Sequence, residues 1–118
     1  MSILFLEYPK CTTCKKAKSF LTANNISFTD RHIVENNPTA TELKDWLELS
    51  GMPIKKFFNT SGNMYKELKL KDKLPNMTED EQIAILSQNG MLVKRPLVIG
   101  KDFVLVGFKE EEWSNKLL

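Results

Sequence analysis

Residues 3–14 read ILFLEYPKCTTC, and they place a Cys-x-x-Cys motif closely after a short apolar run. The apolar run is typical of a buried β-strand that ends at Pro9. From about residue 14 to residue 24, apolar side chains recur at helical spacing with the lysines mostly off that face, which predicts a helix. Residues 26–34 alternate apolar and polar side chains and predict a second strand. A strand-helix-strand unit of this kind is normally parallel and right-handed.

The middle of the chain changes character and predicts only helices between residues 36 and 90. The sequences Thr39–Glu42 and Thr78–Glu81 have the form of capping boxes, in which a threonine and a later glutamate bind the free backbone N–H groups at a helix start. Gly51 is expected to close the first of these two helices. One or two further short helices are expected between them.

Strand character returns towards the end of the chain. Leu97–Ile99 and Phe103–Val106 flank a short glycine-containing turn, which predicts an antiparallel hairpin. A final helix is expected over residues 109–118, where acidic residues favour the N-terminal end. We therefore predict an α/β fold with a thioredoxin-like mixed sheet, in which a strand-helix-strand unit precedes a strand-strand-helix unit. The predicted organisation is a single domain over residues 1–118 with a helical insertion at residues 36–90.

The composition is that of an ordinary globular protein with nearly balanced charge. The chain has 118 residues, 17 basic and 15 acidic, so its net charge of +2 gives no reason to expect direct nucleic-acid binding. The opening apolar run stops at Glu7, which is too early for a membrane span or a signal-peptide core. We therefore expect a cytoplasmic protein without membrane association, and we expect a monomer.

The cysteines Cys11 and Cys14 are the only ones in the chain, and their spacing predicts redox chemistry. In a reducing compartment such a pair is rarely a structural disulfide. Cys11 is expected at the start of the first helix, where free backbone N–H groups and the helix dipole stabilise a thiolate. We predict that Cys11 is the exposed nucleophile. Cys14, one turn into the helix, is expected to be more buried and to resolve the mixed disulfide into a Cys11–Cys14 disulfide.

Residues around the first cysteine favour a thiolate. Lys10, Lys15 and Lys16 add positive charge, and Thr12 and Thr13 carry hydroxyl groups that can donate to the sulfur. We therefore predict that Thr12, Thr13 and Lys15 contribute to substrate binding.

Two other interpretations of the cysteine pair stay open: an incidental pair, and half of a zinc site. Zinc usually takes four ligands, whereas the chain has no further cysteine and one histidine, His32. We therefore expect no metal site. His32 is expected to be structural or exposed rather than catalytic.

Several segments together resemble the arsenate reductase/Spx family. They are CTTCKKA at residues 11–17, KRPL at residues 94–97, and FFNTSG at residues 57–62 followed by YKEL at residues 65–68. The resemblance covers essentially the whole chain, including the helical insertion. It is closest to the uncharacterised arsenate-reductase-like branch found in Gram-positive bacteria.

The resemblance implies a thioredoxin-like domain with an inserted helical subdomain. It also implies that Pro96 follows a cis peptide bond, faces the cysteine turn and contributes to substrate binding. Arg95 is then expected beside Cys11, where its guanidinium can hold an oxyanion or a carboxylate, and it completes a catalytic set with Cys11 and Cys14. No bound cofactor is implied. The reductant is external: thioredoxin, glutaredoxin or a low-molecular-weight thiol.

Two branches of the family suggest two functions. The first is a thiol-dependent oxidoreductase of the arsenate reductase-like type, although arsenate reductases coupled to glutaredoxin use three arginines, and Asn59 and Gly107 stand here at two of those positions. The Spx branch implies the alternative, a redox-switched transcriptional regulator that binds the C-terminal domain of the RNA polymerase alpha subunit. Gly51 lies near a glycine used in that contact, but closing its helix is the favoured interpretation.

Overall fold

The structure is a computed structural model that describes residues 2–118. These residues form two compact units, which are described separately. The first comprises the chain up to His32 together with Arg95–Leu118, and the second comprises Ile33–Lys94. The predicted single domain with its insertion at residues 36–90 stays a prediction.

The order of strands and helices along the chain agrees with the order predicted from the sequence. The strands are β1 (Ser2–Glu7), β2 (Ser27–His32), β3 (Leu97–Ile99) and β4 (Val104–Val106). The α-helices are α1 (Thr12–Ala23), α2 (Ala40–Ser50), α3 (Asn63–Glu67), α4 (Leu70–Lys73), α5 (Glu79–Gln88) and α6 (Glu110–Leu117), with short 3-10 turns at Ile54–Phe57, Leu74–Asn76 and Gly90–Leu92.

The first unit contains a mixed sheet with strand order β2-β1-β3-β4. β1 and β2 run parallel, with Glu7 opposite His32 at one end of the pair. β3 runs antiparallel to β1, with Leu6 opposite Leu97, and β4 pairs with β3 as an antiparallel hairpin. The predicted mixed sheet and hairpin are therefore confirmed. A parallel pair needs a crossover connection, and α1 supplies it.

One hydrophobic core binds the two helices of this unit to the sheet. Phe5 of β1, Leu21 of α1 and Trp113 of α6 belong to it, and all three are fully buried. The Trp113 indole N–H donates to the Gly107 carbonyl oxygen at 3.1 Å, so that burying this large side chain leaves no unpaired donor. The core fixes α1, and with it the cysteine motif, against β1.

The second unit is built from short helices with well-formed ends. Both predicted capping boxes are present, at Thr39 before α2 and at Thr78 before α5. Gly51 ends α2 in the left-handed conformation, with φ of 65°, so its predicted structural role is confirmed.

No helix within residues 2–118 is long and apolar enough to cross a membrane.

The first helix starts earlier than the sequence predicts. α1 begins at Thr12 rather than near Cys14, because Thr12 and Thr13 are polar and exposed and so contribute nothing to the apolar face on which the prediction depended. Cys14 therefore lies within the first turn of the helix, as the expected position of Cys11 at the helix start implies. Cys11 becomes the residue that precedes the helix.

Candidate active site

The turn between β1 and α1 fixes the position of Cys11. The Cys11 backbone N–H donates to the Tyr8 carbonyl oxygen at 2.9 Å, and the Cys11 carbonyl oxygen accepts from the Lys15 N–H at 3.1 Å. Cys11 is the N-cap residue of α1, with extended φ and ψ of −83° and 123°. Its sulfur is therefore held at the positive end of the helix dipole, as predicted.

The two cysteines differ in exposure, as the sequence predicts. Cys14 is fully buried, whereas Cys11 is half-buried, and both are free thiols. A reactant can therefore reach Cys11 from outside, while Cys14 is closed to solvent. This arrangement suits an attacking and a resolving thiol.

The surroundings of Cys11 lower the pKa of its thiol. Burial by itself raises the pKa, but the backbone N–H and the thiol of Cys14 both favour the Cys11 thiolate. The Arg95 guanidinium and the Thr13 backbone N–H lower the pKa further. A thiolate is the nucleophilic form, so these groups activate Cys11.

Cys14 shows the opposite behaviour. Burial is the main cause that raises the pKa of its thiol to about 12, and the neighbouring Cys11 adds to the rise. The Tyr8 backbone N–H and the Arg95 guanidinium lower the pKa but do not compensate. Cys14 is therefore a protonated thiol while Cys11 is reduced.

Arg95 and Pro96 stand at the start of β3, within the same unit. The Arg95–Pro96 peptide bond is cis, as the resemblance implied, and Pro96 is buried. The Arg95 guanidinium carbon lies 5.2 Å from the centre of the Tyr8 ring, and its charge reaches both sulfur atoms. The structure therefore brings the three predicted catalytic residues, Cys11, Cys14 and Arg95, together.

The residues predicted to bind substrate are placed less decisively. Thr12, Thr13 and Lys15 lie in the first turn of α1 with exposed side chains, and Thr13 lowers the pKa of the Cys11 thiol through its backbone N–H. Lys10 and Lys16 are exposed as well. The positive charge that lowers the pKa of the Cys11 thiol is that of Arg95. The contribution of Thr12, Thr13, Lys15 and Pro96 to substrate binding stays a prediction.

Sequence reasoning did not identify Tyr8 as part of this site. Tyr8 packs edge to face against His32, with ring centres 5.8 Å apart, and lies beneath Arg95. The signal was an aromatic residue at the end of a strand, directly before Pro9. His32 is half-buried, and its contact with Tyr8 agrees with the structural role expected for it.

Glu7, which the sequence marked only as the end of an apolar run, is a buried carboxyl group. Its side chain is 4% exposed, and a carboxylate oxygen lies 3.3 Å from the Lys18 ammonium, which also contacts Asp30 at 2.7 Å. Burial raises the pKa of Glu7 to about 7, Asp30 adds to the rise, and Lys18 opposes it.

Within residues 2–118 no three His, Cys, Asp or Glu side chains form a group suited to a metal ion.

Comparison of the chain with known proteins gives consistent similarities. The sequence model of the ArsC family matches residues 6–115. The uncharacterised protein YusI of Bacillus subtilis is 50% identical over 115 residues, which span 98% of each chain. The regulatory protein MgsR of the same organism is 32% identical over 93% of this chain and 86% of its own. The global transcriptional regulator Spx of Staphylococcus aureus is 30% identical over 88% of this chain and 78% of its own.

Solved structures show the same similarity. An ArsC-family-related protein from Bacteroides fragilis is 65% identical, covers 98% of this chain and 97% of its own, and superposes with a TM-score of 0.94. The arsenate reductase from Vibrio cholerae shares the fold alone, since it is 24% identical with a TM-score of 0.86 over all of this chain and 98% of its own.

Proposed function

This chain belongs to the ArsC family and has its thioredoxin-like fold, and on that premise we propose that it is a thiol–disulfide oxidoreductase. Cys11 acts as the nucleophile, Cys14 resolves the intermediate, and Arg95 holds an anionic group of the substrate. The observation that carries the proposal is the asymmetry of the two thiols. One is half-exposed with a lowered pKa, and the other is fully buried with a raised pKa.

The proposed reaction proceeds in two exchanges. The Cys11 thiolate attacks one sulfur of a substrate disulfide, forms a mixed disulfide and releases the other sulfur as a thiolate. Cys14 then loses its proton, attacks the Cys11 sulfur and releases the second substrate thiolate. The substrate has gained two electrons, and the protein holds a Cys11–Cys14 disulfide. Two thiols of an external reductant (thioredoxin, glutaredoxin or a low-molecular-weight thiol) return it to the dithiol.

Arg95 is the group proposed to select the substrate. A guanidinium binds a carboxylate or an oxyanion through paired N–H donors, and Arg95 lies close enough to Cys11 to influence its pKa. The chain has two arginines, Arg31 and Arg95, and so lacks the three-arginine set that the resemblance implies for arsenate. We therefore propose a disulfide with an anionic substituent, rather than arsenate, as the substrate.

A coupled assay tests this function. The protein is supplied with a carboxylate-bearing disulfide and with thioredoxin, thioredoxin reductase and NADPH, and NADPH consumption is followed. Cys11→Ser is expected to reduce turnover to the rate without protein, and Arg95→Lys to raise the KM for the anionic disulfide more than for an uncharged one. Arg31→Lys is the matched control and is expected to keep wild-type turnover. Unchanged turnover by Cys11→Ser overturns the proposal.

The matches to MgsR and Spx favour a second candidate, a redox-switched regulator that binds the C-terminal domain of the RNA polymerase alpha subunit. In this function the same cysteine pair switches the protein between two states instead of turning over a substrate. Co-purification with that domain, with the pair reduced and then oxidised, tests it. Binding in one redox state supports the regulator, and binding in neither state excludes it. Either function is proposed for the cytoplasm, where the thiol pool keeps both cysteines reduced at rest.

A further inference from the structure

The Tyr8 ring contacts two residues that are far from it in the sequence, Arg95 and His32. The Tyr8 ring lies 5.2 Å from the Arg95 guanidinium carbon, and the His32 ring packs against it at 85°. The pairing of β1 with β3 explains the first contact. Phe5 faces Val98 and Leu6 faces Leu97, so this antiparallel pairing brings the residues just after β1, where Tyr8 lies, close to those just before β3, where Arg95 lies. The backbone pairing therefore brings the two residues near each other, and the Arg95 side chain completes the contact.

An arginine needs such support to act at a fixed place. Its side chain has several rotatable bonds, and holding it still costs conformational entropy. An aromatic face attracts a guanidinium and orients it, while its N–H edges stay available to an anion. Arg95 acts on both cysteines, so its position affects the whole dithiol.

We propose that Tyr8 is a positioning residue of the thiol site, whose ring holds the Arg95 guanidinium beside Cys11 and is itself braced by His32. The proposal rests on the proposed function only in taking Cys11 as the attacking thiol. The role proposed for the Tyr8 side chain is indirect. It acts through Arg95, first on the thiolate of the free protein and then on the anionic substrate.

The backbone of Tyr8 has separate roles that a substitution leaves in place. Its carbonyl oxygen accepts from the Cys11 N–H at 2.9 Å, and its own N–H favours the Cys14 thiolate. Replacing the side chain therefore isolates the contribution of the ring. Tyr8→Phe keeps the aromatic face, whereas Tyr8→Leu removes it and keeps an apolar side chain.

The test measures the rate at which iodoacetamide alkylates Cys11 in the reduced protein at neutral pH, with mass spectrometry to assign the site. Loss of a cation–π contact of ordinary strength predicts that Tyr8→Leu slows alkylation by about three-fold. Tyr8→Phe is expected to restore the wild-type rate. The matched control is Phe103→Leu, which removes another cation–π contact of the same unit, with Lys116 at 5.3 Å, and is expected to leave the rate unchanged.

A double-mutant cycle separates positioning from simple packing. If Tyr8 acts through Arg95, Tyr8→Leu has no further effect in an Arg95→Ala background. The proposal is overturned if Tyr8→Leu leaves the wild-type rate unchanged, or if it slows alkylation by the same factor with and without Arg95. Because alkylation needs no substrate or reductant, these outcomes are independent of the turnover assay that tests the proposed function.

Discussion

Cys11 and Cys14 stand three residues apart at the start of α1, and their contact affects the two thiols in opposite directions. The Cys14 backbone N–H and thiol favour the Cys11 thiolate, while the proximity of Cys11 raises the pKa of Cys14. Burial is the main cause of the raised pKa of Cys14, which is fully enclosed, whereas the burial of Cys11 is outweighed by the groups that favour its thiolate. The first turn of α1 therefore holds one thiol with a lowered pKa and one buried thiol with a raised pKa.

We predict that a limiting amount of iodoacetamide at neutral pH labels Cys11 at least about ten times faster than Cys14, since one unit of thiol pKa already changes the thiolate fraction about tenfold. Peptide mass spectrometry of the labelled protein gives the ratio. The same experiment in urea is the control, because unfolding removes the burial and the helix N-terminus and should bring the two rates close together. Equal labelling in the folded protein contradicts the assigned order of the two cysteines.

We predict that Cys14→Ser stops the reaction at its first exchange. With no resolving thiol, a substrate disulfide should leave one half of itself attached to Cys11, and intact-protein mass spectrometry should show a single stable adduct. Wild-type protein should show the internal disulfide instead, and Cys11→Ser should show no adduct. An adduct of similar amount and lifetime in the wild type would mean that Cys14 does not resolve the intermediate.

The Glu7 carboxyl group should make stability depend on pH. Its pKa is raised to about 7, so between its ordinary value of 4.5 and about 7 the folded protein keeps a proton that the unfolded chain has lost. Stability should therefore fall as pH rises through this window and level off above it. The pKa of Asp30, by contrast, is lowered. Burial raises it, but the contacts with Glu7 and Lys18 lower it by more, so Asp30 changes stability only at more acidic pH.

Glu7→Gln is the corresponding substitution, because glutamine resembles the protonated acid and does not ionise. We expect the variant to lose the fall in stability between about pH 4.5 and 7 that the wild type shows. Urea unfolding at a series of pH values measures this, and Glu111→Gln, at an exposed glutamate of α6, is the matched control. A variant with the full pH dependence of the wild type would show that Glu7 is not its source.

The capping boxes of the second unit should each contribute measurably to stability. The Thr39 hydroxyl accepts from the Glu42 N–H at 3.1 Å, and the Thr78 hydroxyl accepts from the Glu81 N–H at 3.2 Å. Thr39→Ala and Thr78→Ala should each lower the free energy of unfolding by about 1 kcal/mol. Thr41→Ala, at an exposed position within α2, is the control and should cost less, since alanine is the better helix former. Equal losses at Thr39 and Thr41 would contradict a capping role.

Local patterns in the sequence were enough for much of this description. The capping boxes, the closing Gly51 and the antiparallel hairpin depend on neighbouring residues, and each is confirmed. The placement of Cys11 before a helix also follows from local order. The exact start at Thr12 was not predicted, because the exposed Thr12 and Thr13 leave no trace in the apolar pattern.

Contacts between distant residues could not be predicted in the same way. Tyr8 and Arg95 come close together because β1 pairs with β3, and the sequence alone does not specify that pairing. Glu7 shows a different limit. Its charge marked only the end of the apolar run, whereas its burial and its contact with Lys18 depend on where α1 packs.

The central claim is that Cys11 and Cys14 form one redox couple, and a redox titration tests it most directly. The protein is equilibrated in buffers of graded thiol–disulfide potential, alkylated, and analysed by peptide mass spectrometry. We predict that both cysteines lose alkylation together in a single two-electron transition, in which a tenfold change in the ratio of oxidised to reduced protein takes about 30 mV. Cys11 that oxidises while Cys14 remains alkylated, or two cysteines that stay reduced across the whole range, would contradict the claim.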